Sequence, residues 1–291
     1  MKTLQNELTR CKQWVINQNK IIHSKGHIIK FSSAFGGLKL SFVAALMAFT
    51  YLVSAQEYKV SASGSKKLVI NGVNKIEIEG TSGSEIIFST TNRSRRSSER
   101  AEGLTALGSW GLKDNSGIGL SVIENGGNIE VNQISRNSTT RYVVKVPKNV
   151  VISYSHNSVY GSKLQVRNVE SELEISTNHN SVYLENITGP LTVTTVHGKI
   201  EVIFTSLNQS SPTSINSVHG LVDVTLPSTT KADLRMSSQW GEIFTDMEIE
   251  FDRSESELRK LSSTKIRGKL NGGGVSLQLN STHNNIYLRK K

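Results

Sequence analysis

The sequence predicts an all-β chain: a single-stranded β-solenoid (β-helix-like) of short stacked strands behind an N-terminal signal segment. Three observations carry this. Residues 164–181 (LQVRNVESELEISTNHNS) align without a gap on residues 182–199 (VYLENITGPLTVTTVHGK) at an offset of 18, and so short a fixed period with alternation inside it is the mark of stacked β coils. Within each unit apolar residues alternate with polar ones, Val166, Leu173 and Ile175 falling on Leu184, Leu191 and Val193, which is the period of a strand with one buried face. Between the strands sit Asn-Val or Asn-Ile and His-Asn or His-Gly, residue types that turn a chain or tolerate positive φ.

The register extends both ways once corner insertions are allowed. Upstream, Val150, Ile152, Tyr154, His156, Asn157 and Val159 are expected on Leu173, Ile175, Thr177, His179, Asn180 and Val182 at an offset of 23. Downstream, Ile215, Ser217, His219, Gly220 and Val222 follow at 22, with the added residues in a loop at 206–212. Met236, Ser238, Trp240, Gly241 and Ile243 follow at 21, and Leu279, Ser281, His283, Asn284 and Ile286 at a further 43, about two coils on. A single coil cannot bury its apolar face, so each is stable only between neighbours about 4.8 Å away.

The front of the chain reads as a leader. Residues 40–53 (LSFVAALMAFTYLV) form an apolar run of 14, preceded by Lys39. Val53 and Ala55 supply the small residues of a signal-peptidase site, so cleavage is expected after Ala55, dividing the chain into 1–55, a signal peptide with a long basic n-region, and 56–291, one solenoid domain. The run is shorter than the ~20 residues that span a bilayer, which disfavours a retained anchor. Seven of the 34 Lys and Arg and one of the 24 acids lie in the leader, leaving 27 against 23 in the remainder, so the formal net charge of +10 is largely a property of the leader. That removes the main support for nucleic-acid binding. The one cysteine, Cys11, also precedes the cleavage site, which leaves the domain without disulfides, zinc thiolates or a cysteine nucleophile.

From Glu57 onward, residues 68–78 (LVINGVNKIEI) read as two strands around a turn and 85–89 as another, the expected first rungs. Residues 92–100 (NRSRRSSER) read as a solvated basic loop. Ala101, Leu104 and Leu107 at helical spacing, ended by Gly108, predict a short helix over 98–107 that covers the open end of the stack. Residues 117–131 contain Gly-x-Gly without the strand and helix that a dinucleotide site requires, and read as a hairpin. Residues 142–146 lead into the repeats, 252–261 form a charged excursion, and 270–288 return to the coil.

Five constellations are weighed as sites. His156, His179, His197 and His219 fall on one turn position, continued by Trp240 and His283. No carboxylate or cysteine recurs beside them, so no metal or other cofactor is assigned. Adjacent imidazoles titrate close to neutrality and repel when charged, so stability is expected to fall between pH 7 and 5.5 through this column. Asn168 with Asn186, and Thr177, Thr195, Ser217, Ser238 and Ser281, make two further columns, read as structural. Tyr160, Tyr183, Phe244 and Tyr287, with Glu201 and Asp223 between them, are placed on the outward face of the strand after the His turn, where aromatics beside polar groups hold sugars or partner proteins. Glu170, Glu172 and Glu174 point outward along one strand, but Thr188, Pro190 and Thr192 take their places in the next coil. No opposed carboxylate pair accumulates there, and no GxSxG, HExxH or Walker sequence occurs, so no catalytic residue is assigned.

Val146-Pro147 ahead of the alternating strands, the His-Asn or His-Gly turns before V-x-L, residues 226–234 (LPSTTKADL) and the closing 270–274 (LNGGG) resemble the bacterial putative-adhesin family of β-solenoid domains, a domain of unknown function, over roughly 68–288. The chain departs from that pattern in placing His at its turns. The resemblance implies an exported, non-enzymatic protein of the periplasm, outer envelope or cell surface. Its expected partner is an envelope protein or glycan surface, with no nucleic acid, and with membrane contact only through the leader during export. The alternatives are a periplasmic structural or envelope-sensing protein and a polysaccharide-active β-helix enzyme.

Overall fold

A computed structural model describes residues 56–64, 67–90, 103–105, 107–108, 111–251 and 264–291. The expected leader with its Ala55 cleavage site, Cys11, the basic loop at 92–100 and the charged excursion at 252–261 lie outside the described residues.

Every named element is a strand. The first seven are β1 (Gln56–Ser61), β2 (Lys67–Asn71), β3 (Lys75–Thr81), β4 (Glu85–Thr90), β5 (Leu120–Asn125), β6 (Asn128–Gln133) and β7 (Arg141–Pro147). The repeats follow as β8 (Val151–His156), β9 (Leu164–Arg167), β10 (Leu173–Thr177), β11 (Val182–Ile187), β12 (Leu191–Thr195), β13 (Ile200–Phe204), β14 (Thr213–Ser217) and β15 (Val222–Leu226). The chain closes with β16 (Ala232–Ser238), β17 (Ile243–Thr245), β18 (Glu250–Phe251), β19 (Thr264–Leu270), β20 (Val275–Ser281) and β21 (Ile286–Lys290).

Each coil lays one strand in each of two sheets, whose inward side chains form one continuous core. The ten-stranded sheet runs β1-β4-β7-β3-β9-β11-β13-β15-β21-β17, and the eleven-stranded sheet runs β18-β19-β16-β20-β14-β12-β10-β8-β2-β6-β5. In the middle the expected register holds: Leu173 lies beside Leu191 and Ile175 beside Val193, all parallel, and Val182 lies beside Ile200. Alternation explains the burial, since β12 reads buried, exposed, buried, exposed, buried. Insertions stay at the corners, where they leave the ladder intact.

The structure corrects the upstream register. Ile152 pairs with Leu173, Tyr154 with Ile175 and His156 with Thr177, so the offset is two residues less than the sequence alignment gives. A slip of two keeps the same side chains inward, so alternation alone does not detect it.

At both ends the spatial order departs from chain order. The last coil, β20 with β21, lies between β14–β15 and β16–β17, so that Leu279 touches Ile215 on one side and Met236 on the other. The coil of β2 and β3 is likewise set between β8–β9 and β6–β7. At the C-terminal end β19 and β20 flank β16, and the connection arches across its start, with Leu270 and Val275 both beside Ala232. The Leu-Asn-Gly-Gly-Gly run allows this arch, because Asn271, Gly272 and Gly273 all take positive φ (50°, 81° and 89°). Asn271 Nδ2 fastens the arch by donating to the Ser228 and Thr230 carbonyls at 3.0 and 2.7 Å.

Among the described residues the stack is closed by antiparallel strands, and of the span expected as a helix residues 98–102 and 106 lie outside them. β4 pairs antiparallel with β7 and β1 with β4, β5 folds back on β6, and β19 and β18 finish the other end. The β5–β6 hairpin expected from the sequence turns on Gly126 and Gly127, both at positive φ, as a tight two-residue hairpin requires. Within the span expected as a helix, Leu107 instead bridges to Lys113, and 103–105 are not helical.

Candidate functional site: two exposed columns and a buried polar cluster

Where the chain leaves the eleven-stranded sheet for the ten-stranded one, each turn donates a backbone N–H to the turn beneath it. His197 N donates to Asn178 O, His219 N to Val196 O, His283 N to Val218 O and Trp240 N to Thr282 O, at 2.8, 2.8, 2.9 and 2.9 Å. This repeat places the imidazoles of His179, His197, His219 and His283 in one exposed ladder, with ring centroids 5.0, 4.9 and 4.6 Å apart. Trp240 takes the last place, beyond His283, and is 66% exposed. The rings lie face to face, so their nitrogen lone pairs lie in nearly parallel planes and do not converge. Among the described residues no group of His, Cys, Asp or Glu is arranged to hold a metal ion.

His156 does not belong to this ladder, which corrects the sequence-based grouping. It is 1% exposed and points inward, in register with the hydroxyl column of Thr177, Thr195, Ser217, Ser281 and Ser238. That column is structural, as expected: Thr177 Oγ1 donates to Asn180 O, Ser281 Oγ to Gly220 O, and Thr195 Oγ1 lies 3.1 Å from Ser217 Oγ. The Asn ladder is present as well, Asn186 Nδ2 donating to Asn168 Oδ1 at 3.1 Å with both residues at positive φ.

In place of a hydroxyl, His156 anchors a buried polar cluster that sequence reading missed. Asn74 Nδ2 donates to the Arg136 and Ser138 carbonyls, so its Oδ1 is the acceptor that faces His156 Nε2 at 3.0 Å, and Nε2 carries the proton. Tyr154 donates to Val73 O at 2.9 Å and accepts from Asn180 Nδ2 at 3.2 Å. His156 Nδ1 and Asn180 Oδ1 are buried without a partner. The visible signal was a Tyr and a His at successive inward positions of β8; the partners, Asn74 and Gln133, come from remote coils.

Burial pulls the His156 imidazole below its ordinary 6.5, and the neighbouring His179 adds to this, while the Asn180 side chain opposes it. The folded protein therefore holds His156 neutral in a range where the unfolded chain is protonated, so stability is complete above 6.5 and falls as pH drops below it. The melting temperature is expected to decline from pH 7 to 5.5. His156→Thr should flatten that decline, at the cost of a lower melting temperature throughout because the cluster loses its centre. A pH profile unchanged in His156→Thr would place the sensitivity elsewhere.

The outward face of the ten-stranded sheet carries the second column. Glu77, Gln165, Tyr183, Glu201, Asp223, Tyr287 and Phe244 lie in register across seven strands. Three of the four expected aromatics are thus brought into line. Tyr160 is not: it is exposed in the 157–163 loop, and Gln165 occupies the strand position expected for it. The aromatics also differ among themselves. Lys163 lies over the Tyr183 ring at 4.1 Å, whereas Phe244 and Tyr287 stack at 5.3 Å and Phe244 remains 44% exposed.

The acids between them are already engaged. Lys199 pairs with Glu201 at 2.9 Å, and Arg289 grips Asp223 through two nitrogens at 2.8 and 3.0 Å. On the other sheet Lys67 holds Glu174 at 2.6 Å and depresses its pKa, chiefly through that hydrogen bond, while at the corner before β10 Lys148 holds Glu170 at 2.5 Å. Carboxylates paired with a cation suit hydrogen-bond acceptance better than proton donation. An open polar groove of about 460 Å³ runs past Lys148, Asn168, Glu170, Asn186, Thr188 and Thr205 along the opposite corner.

Residues 161–288 match the family described as Toastrack DUF4097, a domain of unknown function, in agreement with the resemblance drawn from the turn and strand patterns. A solved structure of a putative cell adhesion protein from Clostridium sporogenes is 12% identical, covers 82% of this chain and 100% of its own, and has a TM-score of 0.41. No curated protein matches the chain.

Proposed function

We propose that this chain, which carries a Toastrack domain, is a non-enzymatic, exported protein of a bacterial envelope that binds a glycan or glycan-coated surface through the outer face of its ten-stranded sheet. The observation that carries this reading is the aligned column in which Tyr183 and the Phe244–Tyr287 stack bracket Glu201 and Asp223. Aromatic faces stack on sugar rings, and anchored carboxylates accept hydrogen bonds from hydroxyls. The column crosses successive rungs about 4.8 Å apart, which fits an extended, repetitive partner better than a compact one.

The test is binding of the purified protein to isolated cell-wall polysaccharide. Phe244→Ala with Tyr287→Ala should weaken binding by about tenfold, which corresponds to about 1.4 kcal/mol for loss of an aromatic contact. Tyr183→Ala should have a smaller effect because Lys163 already covers its ring. Melting temperatures should be unchanged, and no sugar should be released. Full binding by the folded double variant would refute the assignment of this face, and sugar release abolished by substitution of Glu201 or Asp223 would replace it with an enzyme.

A further inference from the structure

We infer that the ladder of His179, His197, His219 and His283 is a proton-gated binding strip for a linear polyanion. Four exposed imidazoles 4.6–5.0 Å apart form a ridge along one corner of the solenoid, and imidazole is the side chain whose charge changes between pH 5 and 8. The turns at 178–181, 196–199, 218–221 and 282–285 that carry them contain no carboxylate, nor does the 157–163 turn before them. Lys163 adds positive charge, and Lys199 is paired with Glu201. On this corner the acid is Glu242, in the Trp240 turn beyond the end of the ladder.

The other charged and titratable groups of the adjoining elements are Tyr183, Glu185, Glu201, Asp223, Tyr287, Arg289 and Lys290 on the strands that leave the turns, Glu174 on the strand that enters the first of them, and buried His156 on the coil beneath His179. Glu174, Glu185, Glu201 and Asp223 are held by Lys67, Arg167, Lys199 and Arg289. Nothing described on the ridge therefore neutralises the charge that protonation creates.

An anionic chain lying along the ridge is attracted to protonated rings and not to neutral ones, so proton uptake and anion binding each favour the other. A small anion reaches two rings, whereas a linear polymer with charge on each repeating unit engages all four and releases the counterions it brings. The shared chemistry is a regularly spaced anion, either the carboxylate of an acidic glycan or the phosphodiester or phosphate of a phosphate polymer. This strip lies on turns, apart from the aromatic column, so either assignment can fail without the other.

The experiment titrates the full chain with labelled polygalacturonate and, separately, with inorganic polyphosphate, at pH 5.5 and 7.5 and at two salt concentrations. Binding at pH 5.5 should be at least about tenfold tighter than at pH 7.5 and should weaken with salt. Tighter binding of one polymer identifies the preferred charged group. Replacing all four histidines by Gln should abolish the pH difference, which separates the ladder from the basic leader, and replacing all four by Lys should give tight binding at both pH values. If either quadruple variant fails to fold, His197→Gln with His219→Gln at the centre should at least halve the pH effect. The inference is overturned if neither polymer binds at pH 5.5, if the pH difference persists in the folded Gln variant or undiminished in the central pair, or if the folded Lys variant gains no affinity at pH 7.5.

Discussion

Leu191→Asp is expected to abolish cooperative folding of the solenoid rather than loosen one coil. Leu191 is fully buried, in register with Leu173 in the middle of the eleven-stranded sheet. Removing the leucine side chain costs about 2–5 kcal/mol, and an ionised carboxylate with no partner in that core costs several more, or must be protonated at comparable expense. A total stability of about 5–15 kcal/mol does not withstand that loss. Because each coil is stabilised by its neighbours, the defect spreads in both directions. Far-UV circular dichroism and limited proteolysis should show a chain without a native-like melt. A cooperative transition near the wild-type temperature would show that the rungs do not depend on one another.

Gly220→Ala should lower stability markedly, although it adds only a methyl group. Each turn crosses directly over the one before: a Cβ at Gly220 would meet the Gly198 carbonyl, one at Gly198 the Asn180 carbonyl, and one at Gly241 the Asn284 carbonyl. Backbone cannot swing aside as a side chain can, so the substitution forces two rungs apart. It also strains the Ser217 hydroxyl, which accepts from Gly220 N at 2.9 Å. A cost of about 3 kcal/mol follows for overpacking of this kind, or roughly 6–12 °C in a domain this size. Gly126→Ala is the control: it sits at the β5–β6 hairpin tip with nothing within 4 Å of a new Cβ, so only its positive φ is penalised, by about 1 kcal/mol. Equal shifts for the two variants would show that the corners are looser than their contacts imply.

The middle of the fold was legible in the sequence because the coils stack residue on residue and their length differences are confined to corner loops, so Leu173 with Leu191 and Thr195 with Ser217 could be read from spacing and turn pattern. The ladder from His179 to His219 was legible for the same reason, but that His283 rather than Trp240 stacks on His219 was not. His156 was misplaced because matching histidine to histidine favours an offset of 23, while its actual position rests on Asn74, 82 residues away, and on a corner loop whose Gly161 packs against Asn180 and His156. The exchanged order of the terminal coils left no trace in periodicity, which says that a segment is coil-like but not which coil it lies against. The covering strands β4, β5 and β19 pair antiparallel, and an alternating segment reads the same in either direction. Among the aromatics, Tyr160 shared the composition of the outer column without sharing its strand.

The placement of β20 and β21 between earlier coils has a consequence for how the molecule is made. In an ordinary solenoid the final repeat is a lid that can be trimmed with little harm, and assembly follows the chain as it emerges from the ribosome or the export channel. Here residues 275–290 are a keystone: β14 and β16 have no direct pairing until β20 arrives to join them. A chain cut before residue 275 therefore leaves the β16–β17 coil undocked from the β14–β15 coil, and the arrival of β20 and β21 is the event that locks the two together.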